Sequence, residues 1–150
     1  MTAVQKALPG DLPRVRELLA LAHLPGDDLN AAMLEHFLVC RDGDTLVAVV
    51  GLEPRHDTAL LRSLVVRQDL LGRGIGAQLL GAAEARAREL QIADLYLLTT
   101  TAAEYFDKRG YRRLDRDCAP AAIRATSQFS ALCPATATLM VKALHAGVAA

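Results

Sequence analysis

The sequence predicts a single α/β domain over residues 1–150. Its length is that of one ordinary domain. Strand-like apolar segments joined by short turns fill much of the first half, and a glycine-rich loop then leads from such a segment into a helix-like one. Hydrophobic residues make up 52% of the chain and charged residues 23%, which is typical of a globular protein rather than a disordered one.

Charge and cysteine content exclude several classes of function. Seventeen basic residues balance seventeen acidic ones, so the sequence gives no support for a nucleic-acid partner. No apolar run approaches the ~18 residues that span a membrane, and no secretory signal is visible, so we expect a cytoplasmic protein. The cysteines, Cys40, Cys118 and Cys133, are widely spaced, and we expect neither a disulfide framework nor a metal site.

The first elements follow from turn and capping signals. Residues 2–7 alternate in polarity and predict an edge strand. Asp11 is predicted to cap a helix that has Pro13 in its first turn. Asp28 is predicted to cap a second, short helix that ends at Phe37.

Three antiparallel strands are predicted between residues 37 and 67. Residues 37–41 and 45–54 flank an Asp-Gly turn, a strong hairpin signal. The third strand, residues 58–67, follows a second short turn. After the glycine loop, apolar residues at helical spacing predict a helix through residue 90.

The last third alternates strands and helices, which gives six or seven strands in all. The predicted elements are a buried strand at 93–100, a short helix at 102–109 ended by Gly110, a strand at 111–116, an amphipathic helix at 119–131 broken by Pro134, a strand at 135–144 and a frayed tail at 146–150.

The glycine loop reads Gly72-x-Gly74-x-Gly76 and opens the long helix. Glycines permit close approach of a ligand and backbone angles that other residues resist. The unpaired N–H groups and the dipole at a helix N-terminus favour an anion, and Arg73 adds a full positive charge. The loop therefore predicts a site for a phosphate or a diphosphate.

Four interpretations of this loop compete. The glycines could only shape a tight turn. A Walker A loop is excluded because Gly-Lys-Ser/Thr is absent. A dinucleotide fingerprint is formally present, with Ala77 at its last position, but it belongs to parallel βαβ units and here follows hairpin-linked strands. The fourth candidate ligand is the diphosphate of coenzyme A.

Residues 63–80, SLVVRQDLLGRGIGAQLL, resemble motif A of the GNAT superfamily of acyl-CoA N-acyltransferases. Gly74 and Gly76 match the glycines of its (Gln/Arg)-x-x-Gly-x-(Gly/Ala) pattern, while Leu71 stands where Gln or Arg is expected. The resemblance implies a mixed, mostly antiparallel sheet flanked by helices, with a V-shaped splay between two central strands. It also implies acetyl-CoA as co-substrate and no metal.

The C-terminal half resembles the second type of arsenic-resistance-operon N-acetyltransferase. The matching pieces are residues 97–100, 106–111, 119–123 and 132–134. This resemblance implies the same fold and acyl donor, and it raises a link to arsenic resistance. Cys118 and Cys133 flank the segment between them and are either structural thiols or a grip for trivalent arsenic.

The GNAT resemblance implies where acetyl-CoA binds. The pantetheine arm would pair with main-chain groups of the 58–67 strand, with a backbone N–H stabilising the oxyanion and Thr99 as a further hydrogen-bonding group. Phe106 falls where the superfamily usually has a tyrosine. The implied cofactor-binding residues are Leu64, Val65, Val66, Leu71, Gly72, Arg73, Gly74, Ile75, Gly76, Thr99 and Phe106.

Three residues are candidates for proton transfer. Glu53, at the end of a hairpin strand, is the candidate general base, with His56 in the next turn as an alternative. Tyr105, one residue before Phe106, is the candidate general acid. The structural alternatives are a solvated strand-end carboxylate and an aromatic packing residue.

Four residues are candidates for binding the acceptor. Alternation places Arg62 and Ser63 on opposite faces of their strand. Arg62 is either an anchor for an acceptor carboxylate or part of a structural salt bridge. Thr100 binds the acceptor or caps the next helix, and Arg124 lies on the segment 118–134, which could close over the acceptor.

The sequence thus predicts transfer of an acetyl group from acetyl-CoA to the amine of a small molecule, by direct attack in a ternary complex. The predicted acceptor is an amino acid or an amino-acid-like antimetabolite. The alternatives are a catalytically degenerate acyl-CoA-binding module, which Leu71 and Phe106 favour, and a dinucleotide enzyme. A homodimer is common in the superfamily, but no pattern in the sequence identifies an interface, so the oligomeric state stays open.

Overall fold

The structure is a computed structural model and describes residues 3–144. The bounds of its strands and α-helices, in chain order, are β1 Val4–Lys6, α1 Leu12–Leu21, β2 Phe37–Asp42, β3 Thr45–Arg55, β4 Thr58–Val66, α2 Ile75–Glu89, β5 Asp94–Thr99, α3 Ala103–Asp107, β6 Arg112–Leu114, α4 Ala121–Arg124 and β7 Thr138–Ala143. The predicted frayed tail at 146–150 lies outside the described residues.

The strands form a mixed sheet in the order β1-β2-β3-β4-β5-β7-β6. β1 and β3 pair antiparallel with β2, and β7 pairs antiparallel with β5 and β6. β4 and β5 pair in parallel over three residues of each strand, from Thr58 opposite Asp94 to Leu60 opposite Tyr96. The predicted mixed, mostly antiparallel sheet of six or seven strands flanked by helices is confirmed.

The chain divides into two compact units. Unit 1 comprises Met1–Glu53 with Leu61–Arg86, and unit 2 comprises Pro54–Leu60 with Ala87–Ala150. The expected single domain over residues 1–150 stays a prediction. Among residues 3–144, no helix has both the length and the apolar character needed to cross a membrane.

Unit 1 is built on the predicted hairpin. Gly43, at φ +64°, makes the turn between β2 and β3, a conformation that glycine adopts without steric cost. The apolar face of α1 and the inward side chains of the hairpin share one core, whose buried members are Ala7, Val15, Leu18, Leu19, Leu29, Leu34, Phe37, Val39, Leu46, Val49 and Val65.

Two acidic residues expected to cap helices have other partners. Asp11 is at the N-cap position of α1, but its carboxylate accepts hydrogen bonds from the Leu8 N–H and the Arg41 guanidinium. Asp28 precedes no helix directly, and its carboxylate pairs with Arg62. The predicted position of Asp11 at the start of α1 is confirmed, but its side chain makes no capping hydrogen bond to α1, and the predicted cap at Asp28 is wrong. A guanidinium offers a carboxylate a strong, bidentate partner that competes with capping.

Unit 2 packs the β5–β7–β6 part of the sheet against the segment that follows β6. Its buried core cluster contains Leu60, Ala119, Ile123 and Leu139, with Phe129 packed against it. Gly110 has φ +92° just beyond α3, in agreement with its predicted role at the helix end. β6 covers only three residues of the predicted 111–116.

The amphipathic helix predicted at 119–131 is wrong. The structure has the single turn α4 and then a π-helical turn, Gln128–Leu132. Thr126 lies between them, fully buried, and its hydroxyl donates to the Ile123 carbonyl and accepts from the Phe129 N–H. A threonine side chain that bonds to the backbone in this way competes with helical hydrogen bonding, which explains the break.

Gly51 is a position where only glycine fits. It lies opposite Phe37 in the β2–β3 register, and a Cβ there would sit 2.3 Å from the Phe37 ring. We expect Gly51→Ala to destabilise the protein by about 1–3 kcal/mol through overpacking, measured by urea unfolding.

Gly81 provides the matched control for this substitution. It is exposed in α2, and no atom lies within 4 Å of the place that an alanine methyl group would take. Gly81→Ala should raise the free energy of unfolding by about 1 kcal/mol because alanine is the better helix former. Equal effects of the two substitutions would contradict the packing described for Phe37.

Candidate functional site

The loop after β4 is fixed at both ends. The Arg67 N–H donates to the Val47 carbonyl at 2.8 Å, which ties the end of β4 to β3. A 3₁₀ turn at Gln68–Leu70 follows, and Leu70 is buried. At the other end Ile75, the first residue of α2, is also buried. The exposed residues 71–74 are therefore held between two apolar anchors.

Gly72 and Gly74 give this loop its shape. Their φ angles are +83° and +80°, a region that L side chains rarely adopt. A Cβ at either position would meet nothing within 4 Å, so the glycines are required by backbone conformation and leave open space above the loop. A ligand can therefore approach the main chain closely here.

The start of α2 leaves backbone donors without intrahelical acceptors next to the loop. The first helical hydrogen bond of α2 runs from the Gln78 N–H to the Gly74 carbonyl, at 3.0 Å. The N–H groups of Ile75, Gly76 and Ala77 precede it and have no intrahelical acceptor. With the positive end of the helix dipole, these donors favour an anion.

Arg73 is the positively charged residue within the glycine loop, and the nearby Arg67 is paired with Asp69. Arg67 pairs with Asp69 at 2.6 Å, and the hydrogen bond from Arg67 lowers the pKa of Asp69. Asp69 is thus ionised at neutral pH with its charge compensated by Arg67. Arg73 is exposed and lies between the two positive-φ glycines, where it can meet the same anion as the amides.

A cluster of charged and polar side chains in unit 1 joins β3 and β4 to the segment between α1 and β2; we call Asp28, Glu53, Arg62 and Ser63 the Arg62 cluster. The Arg62 Nη1 contacts Asp28 Oδ2 at 2.5 Å and Glu53 Oε1 at 2.7 Å. Its Nη2 donates to Asp28 Oδ1 at 2.8 Å and to the Pro25 carbonyl at 3.3 Å. Its Nε donates to Ser63 Oγ at 3.0 Å.

Arg62 and Glu53 are both buried, with side chains 1% and 6% exposed. Burial lowers the pKa of Arg62, but hydrogen bonds to Asp28 and Glu53 outweigh it and leave the pKa above its usual value. A buried charge of this kind is tolerated only with such partners. Arg62 was predicted to be either an acceptor anchor or part of a structural salt bridge, and the structure contains the salt bridge.

The expected alternation of Arg62 and Ser63 is wrong at this pair. Ser63 has φ +62° in the middle of β4, so the pleat is interrupted and its hydroxyl meets the guanidinium of Arg62. A residue other than glycine in this region costs about 1–3 kcal/mol and is typical of functional sites. The three residues after it, Leu64, Val65 and Val66, complete β4 ahead of the glycine loop.

The candidate residues of unit 2 have partners of their own. Thr99 Oγ1 accepts the Ala102 N–H at 2.9 Å, so Thr99 shapes the turn before α3, while Thr100 is exposed. The half-buried Tyr105 has the Arg109 guanidinium 3.7 Å above its ring. Phe106 is buried edge-on against Tyr105 and against Tyr111, as a packing residue.

Arg124 and the two cysteines lie on the segment after β6. Arg124 is exposed and donates to the carbonyls of Asp117 and Ala119. Cys118 is exposed, and Cys133 is half-buried with its thiol 3.5 Å from Gln128 Oε1. His56, the alternative base, is an exposed turn residue with φ +59°. No group of three or more metal-ligating side chains occurs among residues 3–144.

The sequence pattern did not reveal the role of Asp28 and of the segment around it. Pro25-Gly26-Asp27-Asp28 has the composition of a turn. An aspartate at the end of such a turn is most simply interpreted as the cap of the next helix. The available signal was the charge of Arg62 inside an apolar strand, which requires buried carboxylates. Sequence alone does not choose which of seventeen acidic residues supplies them.

Residues 34–113 match the family model described as the acetyltransferase (GNAT) domain. This span covers more than half of the chain, from the residues before β2 to β6, and it includes the glycine loop. The chain belongs to the GNAT acetyltransferase family. The resemblance of residues 63–80 to motif A is thereby confirmed at the level of the family.

Curated relatives of this GNAT domain are amino-acid acetyltransferases. The Azotobacter vinelandii enzyme is 38% identical over 87 residues, which are 57% of this chain and 20% of that protein. The Ralstonia nicotianae enzyme is 34% identical over 101 residues, 67% of this chain and 20% of that protein. The chain thus spans about a fifth of the length of these relatives.

Solved structures share the fold. N-acetylglutamate synthase from Neisseria gonorrhoeae, complexed with coenzyme A and N-acetyl-glutamate, superposes with a TM-score of 0.84 at 20% identity, over 97% of this chain and 35% of that one. Rv2747 from Mycobacterium tuberculosis, in complex with CoA and NLQ, gives 0.78 at 21% identity, over 95% and 99%. At these identities the likeness is one of fold.

Proposed function

We propose that this GNAT domain transfers the acetyl group of acetyl-CoA to the amine of an amino acid. Three findings support the proposal: the family to which the chain belongs, the amino-acid acetyltransferases among its relatives, and a loop built for an anion. The loop carries the proposal, because it is the feature of this chain's own geometry that fits the diphosphate of the acyl donor.

The diphosphate binds to the backbone amides of the loop and of the first turn of α2. Two positive-φ glycines place these amides, and the space above them is open. Leu71, which is 61% exposed, replaces the Gln or Arg of the motif. That replacement removes a side-chain contact and leaves the backbone donors in place, so binding survives.

The acyl arm runs along residues 64–66 of β4, pairing with their main chain as an added strand would. A backbone N–H at Leu64 or Val65 stabilises the oxyanion that forms when the amine attacks the thioester carbonyl. The tetrahedral intermediate then collapses, the carbon–sulfur bond breaks, and CoA leaves as its thiolate. Most of the rate gain comes from positioning and charge stabilisation.

The acceptor amine must lose a proton to react. An α-amino group has a pKa of about 7.7–8.0, so at neutral pH roughly a tenth or more of it is already neutral. A modest base therefore suffices, and Glu53 is the proposed one. Its carboxylate is buried, and one of its oxygens lies 2.7 Å from Nη1 of Arg62, which fixes its orientation.

The finer parts of the proposal concern the leaving group and the acceptor. Tyr105 is the proposed acid, although a thiol of pKa about 8.5 also leaves without help. Thr99 and Phe106 on the CoA side, and Ser63, Thr100 and Arg124 on the acceptor side, keep their predicted roles. An antimetabolite acceptor, the arsenic-resistance link, the homodimer and a cytoplasmic location also remain predictions.

The loop is tested at Gly74 by adding charge. We expect Gly74→Asp to weaken acetyl-CoA binding about 100-fold or more, measured by titration calorimetry, because a carboxylate would face the diphosphate. Gly74→Asn is the matched control, since it has the same size and the same tolerance of positive φ without the charge. Equal affinities of the two variants would contradict a diphosphate site at this loop.

The activity is tested by release of CoA thiol from acetyl-CoA with a panel of the twenty amino acids. We expect turnover with a subset of them. Glu53→Gln should lower kcat by about 10²–10⁴-fold and leave the affinity for acetyl-CoA unchanged. Glu84→Gln, which alters another buried carboxylate, on α2, is the control and should retain wild-type kcat.

Each alternative function predicts a different experimental result. Binding of acetyl-CoA with no turnover on any acceptor would favour a catalytically degenerate acyl-CoA-binding module. Thermal protection by NAD(H) but not by CoA would favour a dinucleotide enzyme. Turnover that Glu53→Gln leaves intact would retain the activity and remove Glu53 as its base.

A further inference from the structure

We propose that Arg62 is a positioning residue, which fixes the Glu53 carboxylate and the Pro25–Asp28 segment and takes no part in binding an acceptor carboxylate. This inference rests on the proposed function, and it replaces the expected role of Arg62 as an acceptor anchor. It is carried by the hydrogen-bond inventory and the burial of the Arg62 cluster.

The guanidinium of Arg62 has no donor to spare. An arginine side chain carries five N–H donors in a fixed fork. The structure gives Arg62 five hydrogen bonds, to Ser63 Oγ, to both oxygens of Asp28, to Glu53 Oε1 and to the Pro25 carbonyl. An acceptor carboxylate could bind only by displacing one of these partners, and the displaced carboxylate would be left beside it.

Burial leads to the same conclusion. The Arg62 side chain is 1% exposed, whereas Asp28 is 14% exposed. An approaching molecule therefore meets the rim of the Arg62 cluster at Asp28 and not at the guanidinium. An acceptor carboxylate would be repelled by this rim, while an ammonium group would be attracted to it.

The partners of Arg62 connect three parts of unit 1 that are distant in sequence. Asp28 and Pro25 lie 34 and 37 residues before Arg62, and Glu53 lies nine residues before it. Leu29, next to Asp28, is buried in the unit 1 core. The segment is thus held by an apolar contact at Leu29 and by ionic contacts at Arg62.

This arrangement explains what Arg62 does for the reaction. The carboxylate of Glu53 has one oxygen 2.7 Å from Nη1 of Arg62, which fixes its orientation relative to β4. A general base must be placed within hydrogen-bond reach of its proton, and a displacement of about 1 Å costs about 100-fold in rate. Arg62 sets this placement without touching the substrate.

The first test compares acceptors with and without each carboxylate, using L-glutamate, its α-amide and its γ-amide. We expect Arg62→Gln to lower kcat by about 10–100-fold on all three, and their relative kcat/KM values to stay within about twofold. Arg62→Lys should recover part of kcat, because it restores the charge but not the fork. A selective rise in KM for the carboxylate-bearing acceptor alone would overturn the proposal.

The second test needs no turnover. The Leu29 N–H donates to the Gly26 carbonyl at 3.2 Å, within the segment that Arg62 holds. We expect Arg62→Gln and Asp28→Asn each to accelerate hydrogen exchange at Leu29 by at least tenfold relative to the β2 amide of Val39. If Arg62→Gln does not fold, the exchange ratio of Leu29 to Val39 in Asp28→Asn alone tests the proposal.

Arg41→Gln is the matched control, since it removes another bidentate contact to a carboxylate, at Asp11. It should lower stability and leave the exchange ratio of Leu29 to Val39 unchanged. If the wild type acetylates none of the acceptors, the proposed function fails, and the exchange ratio still decides the role of Arg62. An unchanged ratio in both Arg62→Gln and Asp28→Asn would overturn it.

Discussion

The backbone amides between β4 and α2 are the constraint on which the proposed function depends. The first N–H groups of a helix have no intrahelical acceptors, and they must meet water or a ligand. Gly72 and Gly74 keep the main chain there open to a large anion, because their positive φ angles turn it as other residues would not. In the proposed function the acyl donor is bound mainly by backbone, so the loss of the motif side chain at Leu71 is tolerated.

A buried cation is the second constraint, and in the proposed function it acts on the acceptor side. Arg62 lies in β4, whose other residues are mostly apolar. Its charge therefore requires anionic partners at close range. Those partners are Asp28 and Glu53, and satisfying the guanidinium also places the proposed base. The strained φ of Ser63 belongs to the same arrangement, because it brings the serine hydroxyl to the arginine.

The sequence predicted the parts of this structure that depend on short-range signals. The Asp-Gly turn predicted the β2–β3 hairpin. The spacing of apolar residues predicted that α2 ends at residue 90, one residue beyond its observed end at Glu89. One part that was missed depends on a contact between residues distant in the chain. The Asp28–Arg62 pair joins residues 34 apart, and periodicity does not reveal such pairs. The break at Thr126 was missed because composition favoured a helix while a buried hydroxyl bonded to the backbone.

The most direct test of the central claim is a titration of the isotope-labelled protein with acetyl-CoA, followed in amide proton–nitrogen spectra. Binding of the diphosphate at the loop predicts that the largest shifts fall on the amides of residues 72–77, with smaller ones along residues 64–66 of β4. Saturable binding that leaves the amides of 72–77 unshifted would contradict this account.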